Sequence, residues 1–355
     1  MKNQELYFTN HVEETIDRII ESIAPNKTFI IVDNNTASFV LPRLQAGCGM
    51  LKDAYIITTR PGDDNKSVES LAEIWKELSD NGATRSSLIL NVGGGVITDM
   101  GGFAAATFKR GIPFINLPTS LLANVDAAIG GKTGINFNGL KNEIGSFCNA
   151  DYVIISTTFF NTLPKPELLS GYSELLKHAM ISSRENYEKA LRYNITDYMP
   201  DSLLELLKES VAVKAMIVKE DPTECGIRKA LNFGHTAGHA FEEFALSRQS
   251  PIPHGYAVAW GMVVAAILSH TELGFPAEEV HRIARYVRET YGIFAFSCKD
   301  YDFLLTLMAH DKKNTSPDKN NFTLLKDIGD LEINREISSE KIKAAFDIYC
   351  DEMGI

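Results

Sequence analysis

The chain has 355 residues, 45% of them hydrophobic and 23% charged, with a formal net charge of −11 at pH 7. That length buries large cores and favours two domains over one, and the acidic balance excludes chain-wide affinity for nucleic acid or anionic membrane. Any anionic ligand must be gripped by a local cluster of Lys and Arg. Five cysteines (Cys48, Cys148, Cys225, Cys298 and Cys350) stand singly, which fits a reducing compartment better than a disulfide framework or a thiolate zinc site. The opening MKNQELYFTN has no apolar signal core, and the longest apolar run, 257–268, is too short to span a bilayer. A cytoplasmic location is expected.

Up to about residue 157, β-branched runs alternate with helical patterns. The predicted strands are TFIIVD (28–33), AYIITT (54–59), SLILNV (87–92), FINLP (114–118) and YVIIS (152–156). Between the second and third, Val68, Leu71, Ile74, Trp75 and Leu78 fall at helical spacing, with Gly82 as a stop. Such alternation predicts a parallel sheet covered on both faces, whose ligands bind beyond the carboxyl ends of the strands. From Pro164 onward the patterns are helical, among them SELLKHAMI, SLLELLKESVAVKAMIV and YAVAWGMVVAAIL. The expected organisation is an α/β domain over 1–157 and an all-α domain over 158–355. TSPDKNN (315–321) reads as a polar hairpin loop before FTLL.

NVGGGVITDMGGF (91–103) follows a strand and opens a helix. Consecutive glycines let backbone N–H groups approach a pyrophosphate, and a helix amino-terminus favours negative charge. The spacing is not G-x-G-x-x-G, and a plain tight turn fits about as well. Asp33 and Asn35, or Asp63 and Lys66, suit a ribose, although each singly also suits a turn. The glycine-rich stretch 108–147 carries Arg110, Lys132, Lys141 and Asn142, which can collect round a phosphate or carboxylate. Asp126 there is a carboxylate in apolar company, which needs a cationic or amide partner unless solvated.

Glu174 and Lys177 are three apart, ordinarily a solvated helix pair. Their apolar flanks argue for an inward position, where a carboxylate completes a His–His–Glu metal site. His235 and His239 share a helix face four apart, and His254 follows; three imidazoles so close point to a divalent metal, against the blander reading of core or capping histidines. Lys214, Arg228, Asn232, Lys312 and Lys313 add polar and cationic side chains that would suit a doubly anionic small substrate.

The motifs GGGVITD, FKRG, LPTSLLANVDAAIGGKTGIN, KNEIGSF, GYSELLKHA, ECGIRKALNFGHTAGHAFE, HGYAVAWGM and MAHDKKN together resemble the 3-dehydroquinate synthase family, from about Asp33 to Gly329. The resemblance implies a Rossmann-like NAD-binding α/β domain, a helical metal- and substrate-binding domain, a site in the cleft between them and a homodimer. It implies Glu174, His235 and His254 as ligands of zinc or cobalt, with His239 turned toward substrate. The implied NAD cradle is Gly93, Gly94, Gly95, Val96 and Asp99 with Asp33, Asn35, Asp63, Lys66, Thr119, Ser120 and Leu122, edged by Lys132 and Lys141. Substrate phosphate and carboxylate would be shared among Lys132, Asn142, Lys214, Arg228, His239 and Lys313. Arg110 would reach across the dimer, and Asp126, Lys177 and Asn232 would line the rest of the pocket.

The implied substrate is 3-deoxy-D-arabino-heptulosonate 7-phosphate, converted to 3-dehydroquinate and phosphate by transient oxidation with NAD, β-elimination of phosphate, re-reduction and intramolecular aldol closure. Asn124, Leu140, Pro222 and the sequence FCNA depart from the family's usual residues and touch only loop geometry. A sister sugar-phosphate cyclase would have no use for Lys214 and Arg228, a metal-dependent polyol dehydrogenase none for the phosphate set, and a non-catalytic binding protein would show gaps in the constellation.

Overall fold

The computed structural model describes residues 4–309 and 319–355. The chain divides into two compact units, one holding the residues up to Pro164 with Tyr198–Val211, the other Lys165–Asp197 with Ala212–Ile355. The division thus falls later than the expected 157, and Tyr198–Val211 belongs with the first unit instead of the helical one. Burial explains this: Leu203, Leu207 and Val211 are fully buried. Thr157 Oγ1 also donates to Pro200 O at 3.1 Å, and Asn10 Nδ2 to Asp201 Oδ1 at 3.1 Å.

The strands of the first unit are β1 (Glu5–Phe8), β2 (Thr28–Asp33), β3 (Tyr55–Thr59), β4 (Leu88–Gly93), β5 (Phe114–Pro118), β6 (Lys132–Phe137), β7 (Leu140–Phe147) and β8 (Tyr152–Ile155). Six form a wholly parallel sheet in the order β1-β8-β5-β4-β2-β3. All five expected strands are there. The helices are α1 (Val12–Ile23), α2 (Asn34–Phe39), α3 (Leu41–Gly47), α4 (Val68–Asp80) and α5 (Gly95–Thr107). Strand alternation divides the core: Ile30 and Val32 of β2 join Val12, Ile16 and Ile20 of α1 and Leu44 of α3, while Phe29 and Ile31, equally buried, face the other way. Leu71, Ile74 and Leu78 of α4 are buried, but Val68, at the first turn, is 37% exposed. The order places β3 on one side of β2 and β4 on the other. The turns after β2 and β4 are therefore neighbours at a topological switch point, where sheets of this kind take ligands. β6 and β7 form a separate antiparallel hairpin, an element the glycine-rich sequence did not announce.

The second unit contains α6 (Lys165–Ser182), α7 (Arg184–Arg192), the later part of α8 (Pro200–Glu220), α9 (His235–Ser247), α10 (His254–Leu273), α11 (Ala277–Tyr291), α12 (Tyr301–Ala309) and α13 (Ser339–Met353). It is helical but not all-α, because β9 (Lys319–Asp327) and β10 (Asp330–Ser338) make an antiparallel hairpin. Phe322, Leu324 and Leu325 of β9 are buried, and Leu325 N donates to Ser269 Oγ of α10 at 2.9 Å. The expected hairpin loop at 315–321 is corrected accordingly: 319–321 lie in β9 and the turn comes at Gly329, where φ is +83°. Residues 315–318 lie outside the described residues, as do Lys312 and Lys313. α10 has 20 residues, long and apolar enough by composition to cross a membrane, because polar ends extend the apolar run 257–268. Its side chains from Ala257 to Ser269 are buried within the unit, so it is apolar all round because it is a core helix.

Candidate active site

Backbone contacts between helices position the metal-binding candidates. A Cβ on Gly255 of α10 would overlap the carbonyl oxygen of Ser170 in α6, and one on Gly261 would overlap that of Gly234 at the start of α9. Only glycine allows such approach. Glu174 on α6 and the residues opening α9 and α10, His235 and His254, are thereby brought together. Glu174 Oε1 lies 3.4 Å from His235 Nε2 and 3.7 Å from His254 Nε2. Bonds of about 2.0–2.1 Å to a tetrahedral ion set neighbouring donors about 3.4 Å apart, so this spacing fits a divalent metal. Glu174 Oε1 is buried and makes no hydrogen bond among the described residues, a costly state that a cation would relieve. Each imidazole has its other nitrogen tied: His235 Nδ1 is 3.3 Å from Phe233 O, and His254 Nδ1 is 3.0 Å from Glu242 Oε2. Such outer contacts orient the rings and keep Nε2 available as donor.

The electrostatics agree. Burial pushes the Glu174 carboxyl up, but Lys177, His235 and His254 together outweigh that and hold it well below the usual range. Lys177 Nζ pairs with Glu174 Oε2, and both side chains are buried, so the solvated-pair reading does not hold. Burial and then Lys177 hold His235 well below the ordinary histidine value. Burial works the same way on His254, yet its contacts with Glu174 and Glu242 prevail and push it up to about 10. Two carboxylates thus flank this imidazole, Glu242 at Nδ1 and Glu174 at Nε2, and a divalent ion would offset their charge. His239 is exposed, with its ring centroid 5.2 Å from that of His235 and 5.8 Å from that of His254. One ligand atom from each of the three imidazoles falls within 4.8 Å of the others.

The loop before α9 turns around one carboxylate. Asp221 accepts from the backbone N–H of Cys225 (3.0 Å), Gly226 (2.6 Å) and Arg228 (3.1 Å). Desolvation raises its pKa, but these three bonds and Arg228 bring it below the ordinary Asp value. The buried Arg228 donates to Pro222 O at 2.7 Å, so proline's carbonyl serves at a position where the family usually has an acidic residue. Asn232 Nδ2 donates to Glu224 Oε1 at 3.1 Å, and Lys214 is buried in α8.

In the first unit the nucleotide candidates collect at the carboxyl end of the sheet. Asp33 ends β2 and Asn35 follows it, Asp63 and Lys66 follow β3, Gly93 ends β4 with Gly94 and Gly95 after it, and Thr119, Ser120 and Leu122 follow β5. Asp33 Oδ1 caps α2 by accepting from Thr36 N at 2.8 Å, so its turn-forming role is real. The amino-terminus of α5 has Gly94 as its cap with no side-chain hydrogen bond, and a Cβ on Gly93 would come within 2.6 Å of Ile97. A Cβ on Gly94 would come within 3.4 Å of Ser120 Oγ and one on Gly95 within 3.3 Å of Ala127 Cβ, so glycine keeps this helix start uncrowded, as a pyrophosphate would require. Buried Lys66 Nζ donates to Asp99 Oδ2 at 2.6 Å and also to Asn142 Oδ1, while Lys141 Nζ lies 3.3 Å from Asp63 Oδ2. Asp126 sits half-buried in a π turn, Ala123–Ala127. Lys132 is exposed at the start of β6. Arg110 stands apart, exposed beyond the far end of α5, about 20 Å from the glycine turn by helix rise.

Two residues that sequence reasoning did not single out also belong here. Glu242 lies within the quoted HTAGHAFE motif, seven residues after His235 and so on its helix face; Asn136, in GINFN, gave no signal beyond an Asn between apolar residues. Asn124, a departure from the family pattern, is fully buried and clamps the turn after β5: its Nδ2 donates to Pro118 O and Ser120 O at 2.9 Å each, and its Oδ1 accepts from Ser156 N at 3.1 Å.

The models described as 3-dehydroquinate synthase N-terminal and C-terminal match residues 56–170 and 171–314. A 3-dehydroquinate synthase of Parabacteroides distasonis is 48% identical over 355 residues, covering 100% of both chains. Among solved structures, 2-deoxy-scyllo-inosose synthase complexed with carbaglucose-6-phosphate, NAD+ and Co2+ superposes with a TM-score of 0.83 at 24% identity, over 97% of this chain and 95% of that one. The 2-epi-5-epi-valiolone synthase of Streptomyces hygroscopicus subsp. jinggangensis, with NAD+ and Zn2+ bound, gives 0.82 at 23%, over 99% and 97%. These likenesses carry the fold, a parallel-sheet Rossmann-like unit and a helical unit. By its family models and its full-length relative, the chain belongs to the 3-dehydroquinate synthase family.

Proposed function

We propose that this chain converts 3-deoxy-D-arabino-heptulosonate 7-phosphate to 3-dehydroquinate and phosphate, as a phosphate-eliminating carbon–oxygen lyase of the shikimate pathway that depends on NAD and on zinc or cobalt. The observation that carries the reading is Glu174 Oε1 aimed at two imidazole nitrogens, 3.4 and 3.7 Å away, in a chain of this family. The structural neighbours bound to NAD+ with Co2+ or Zn2+ support both cofactors. NAD would supply a hydride acceptor regenerated within each turnover, and the divalent ion a Lewis acid for neighbouring hydroxyls.

The chain's own residues do the remaining work. Glu174, His235 and His254 hold the cation, and Lys177 neutralises the second oxygen of Glu174. The turn Gly93, Gly94, Gly95 and Val96 receives the pyrophosphate, with Asp33, Asn35, Asp63, Lys66, Asp99, Thr119, Ser120 and Leu122 around the nucleosides. Lys132, Asn142, Lys214, Arg228 and His239 take the substrate's phosphate and carboxylate, with Lys313 assigned from its motif alone; the positive charge of the lysines and of Arg228 stabilises the negative charge that grows on the departing phosphate. Asp126 and Asn232 are assigned to substrate as well.

The protein acts as a cytoplasmic homodimer. The β6–β7 hairpin leaves Phe137, Leu140, Ile144 and Phe147 between 38% and 55% exposed, apolar surface on which a second copy would pack, to whose site Arg110 would contribute. Purified protein given the heptulosonate phosphate, NAD and zinc should form one 3-dehydroquinate per phosphate released. A heptulose phosphate without the carboxylate should be a far poorer substrate; equal turnover would favour a sister cyclase.

A further inference from the structure

Five hydrogen bonds link Asn136, Asp63, Lys66 and Asn142 in the first unit, and the Asn136 side chain takes part in three of them. Asn136 N donates to Lys66 O at 2.8 Å, and Asn136 Nδ2 donates to Asp63 O at 3.0 Å and Asp63 Oδ2 at 3.3 Å. Asn136 Oδ1 accepts from the backbone N–H of Asn142 at 2.9 Å, and Lys66 Nζ closes the circuit onto Asn142 Oδ1 while pairing with Asp99. Asn142 is held here with φ at +52°, a backbone state that needs outside support in a residue with a side chain.

We infer that Asn136 is a positioning residue whose amide locks the Asp63–Lys66 turn to Asn142, so that cofactor-side and substrate-side residues are set by one side chain. This rests on the assignment of Asp63 and Lys66 to NAD and of Asn142 to substrate made above. The chemistry is specific to an amide. Its oxygen must accept on the hairpin side while its nitrogen donates to a carboxylate and a carbonyl on the other. An aspartate keeps the first link and turns the second into a repulsion between carboxylates; an alanine removes both.

The test uses metal-loaded full-length protein, with NAD binding measured by calorimetry alongside steady-state kinetics and thermal melting. Asn136→Ala should raise both the NAD Kd and the KM for the heptulosonate phosphate about tenfold, the effect of losing hydrogen bonds of ordinary strength, with kcat within about threefold. Asn136→Asp should raise the NAD Kd by at least as much while moving KM less. A merely structural role would lower the melting temperature and leave those constants unchanged in the folded fraction, which would overturn the inference, as would equal effects of Asp on the two constants. If the alanine variant does not fold, Asn136→Ser carries the same expectations. Wild-type protein that binds no NAD would remove the cofactor reading and this inference with it, and is recognised before any variant is compared.

Discussion

His254 at the start of α10 and Glu242 in α9 are in direct contact, Nδ1 to Oε2 at 3.0 Å, on the side of the imidazole away from Glu174. The contact fixes the ring and makes its free nitrogen a stronger donor. Glu242→Gln keeps the shape and loses the charge, and should weaken zinc retention about tenfold; Glu242→Leu should approach about a hundredfold. Competition against a chromophoric chelator measures this, and unchanged zinc retention in both variants would detach Glu242 from the metal site.

The same site depends on helices that touch backbone to backbone. Gly255→Ala drives a methyl into Ser170 O and must push α6 from α10, taking Glu174 away from His254. Overpacking of this kind costs about 1–3 kcal/mol. The variant should melt several degrees lower and bind zinc poorly even when folded. Wild-type metal affinity would mean that the carboxylate reaches the imidazoles without the close approach.

Asp221 supplies a pH dependence whose sign follows from its depressed carboxyl. A group more acidic in the fold than in the unfolded chain stabilises above its unfolded value, near 3.8, and that contribution is lost as pH falls through the folded value. Asp221→Asn should therefore melt below wild type at neutral pH, with the gap closing in acid, where the native carboxyl is protonated. Because the loop carries Arg228, the substrate KM should rise while NAD affinity stays. A gap in melting temperature that does not narrow as the pH falls would show that charge is not what Asp221 contributes.

Lys132 opens β6 and faces solvent, unlike buried Lys66. Its assigned work is on substrate phosphate, so Lys132→Ala should lower kcat/KM by about a hundredfold or more and leave NAD binding largely intact. An undiminished kcat/KM removes Lys132 from the site.

Much of this arrangement was legible in the residues, and the misses have physical reasons. β2 and β5 fall where TFIIVD and FINLP place them, because buried parallel strands are continuous apolar runs. Glu174 is inward, as its apolar flanks required. β1 escaped notice because four residues carry too little period, and the β6–β7 hairpin because Gly134 and Gly145 face each other and break the alternation. The extent of the first unit is not legible locally, because Tyr198–Val211 is helical in pattern but buries its apolar face there. Glu242 and Asn136 were not singled out because a contact between elements depends on how they pack, which local spacing does not encode.

The central claim is that one protein uses a metal held by Glu174, His235 and His254 together with NAD as a regenerated hydride acceptor to expel phosphate from the sugar. Phosphate release from 3-deoxy-D-arabino-heptulosonate 7-phosphate, followed with absorbance at the reduced-nicotinamide band, tests it most directly when NAD and zinc are each supplied or withheld. The account predicts many phosphates released per NAD, no net accumulation of reduced nicotinamide, and no release after chelation until zinc or cobalt is restored. Stoichiometric build-up of NADH, or full turnover without metal, would contradict it.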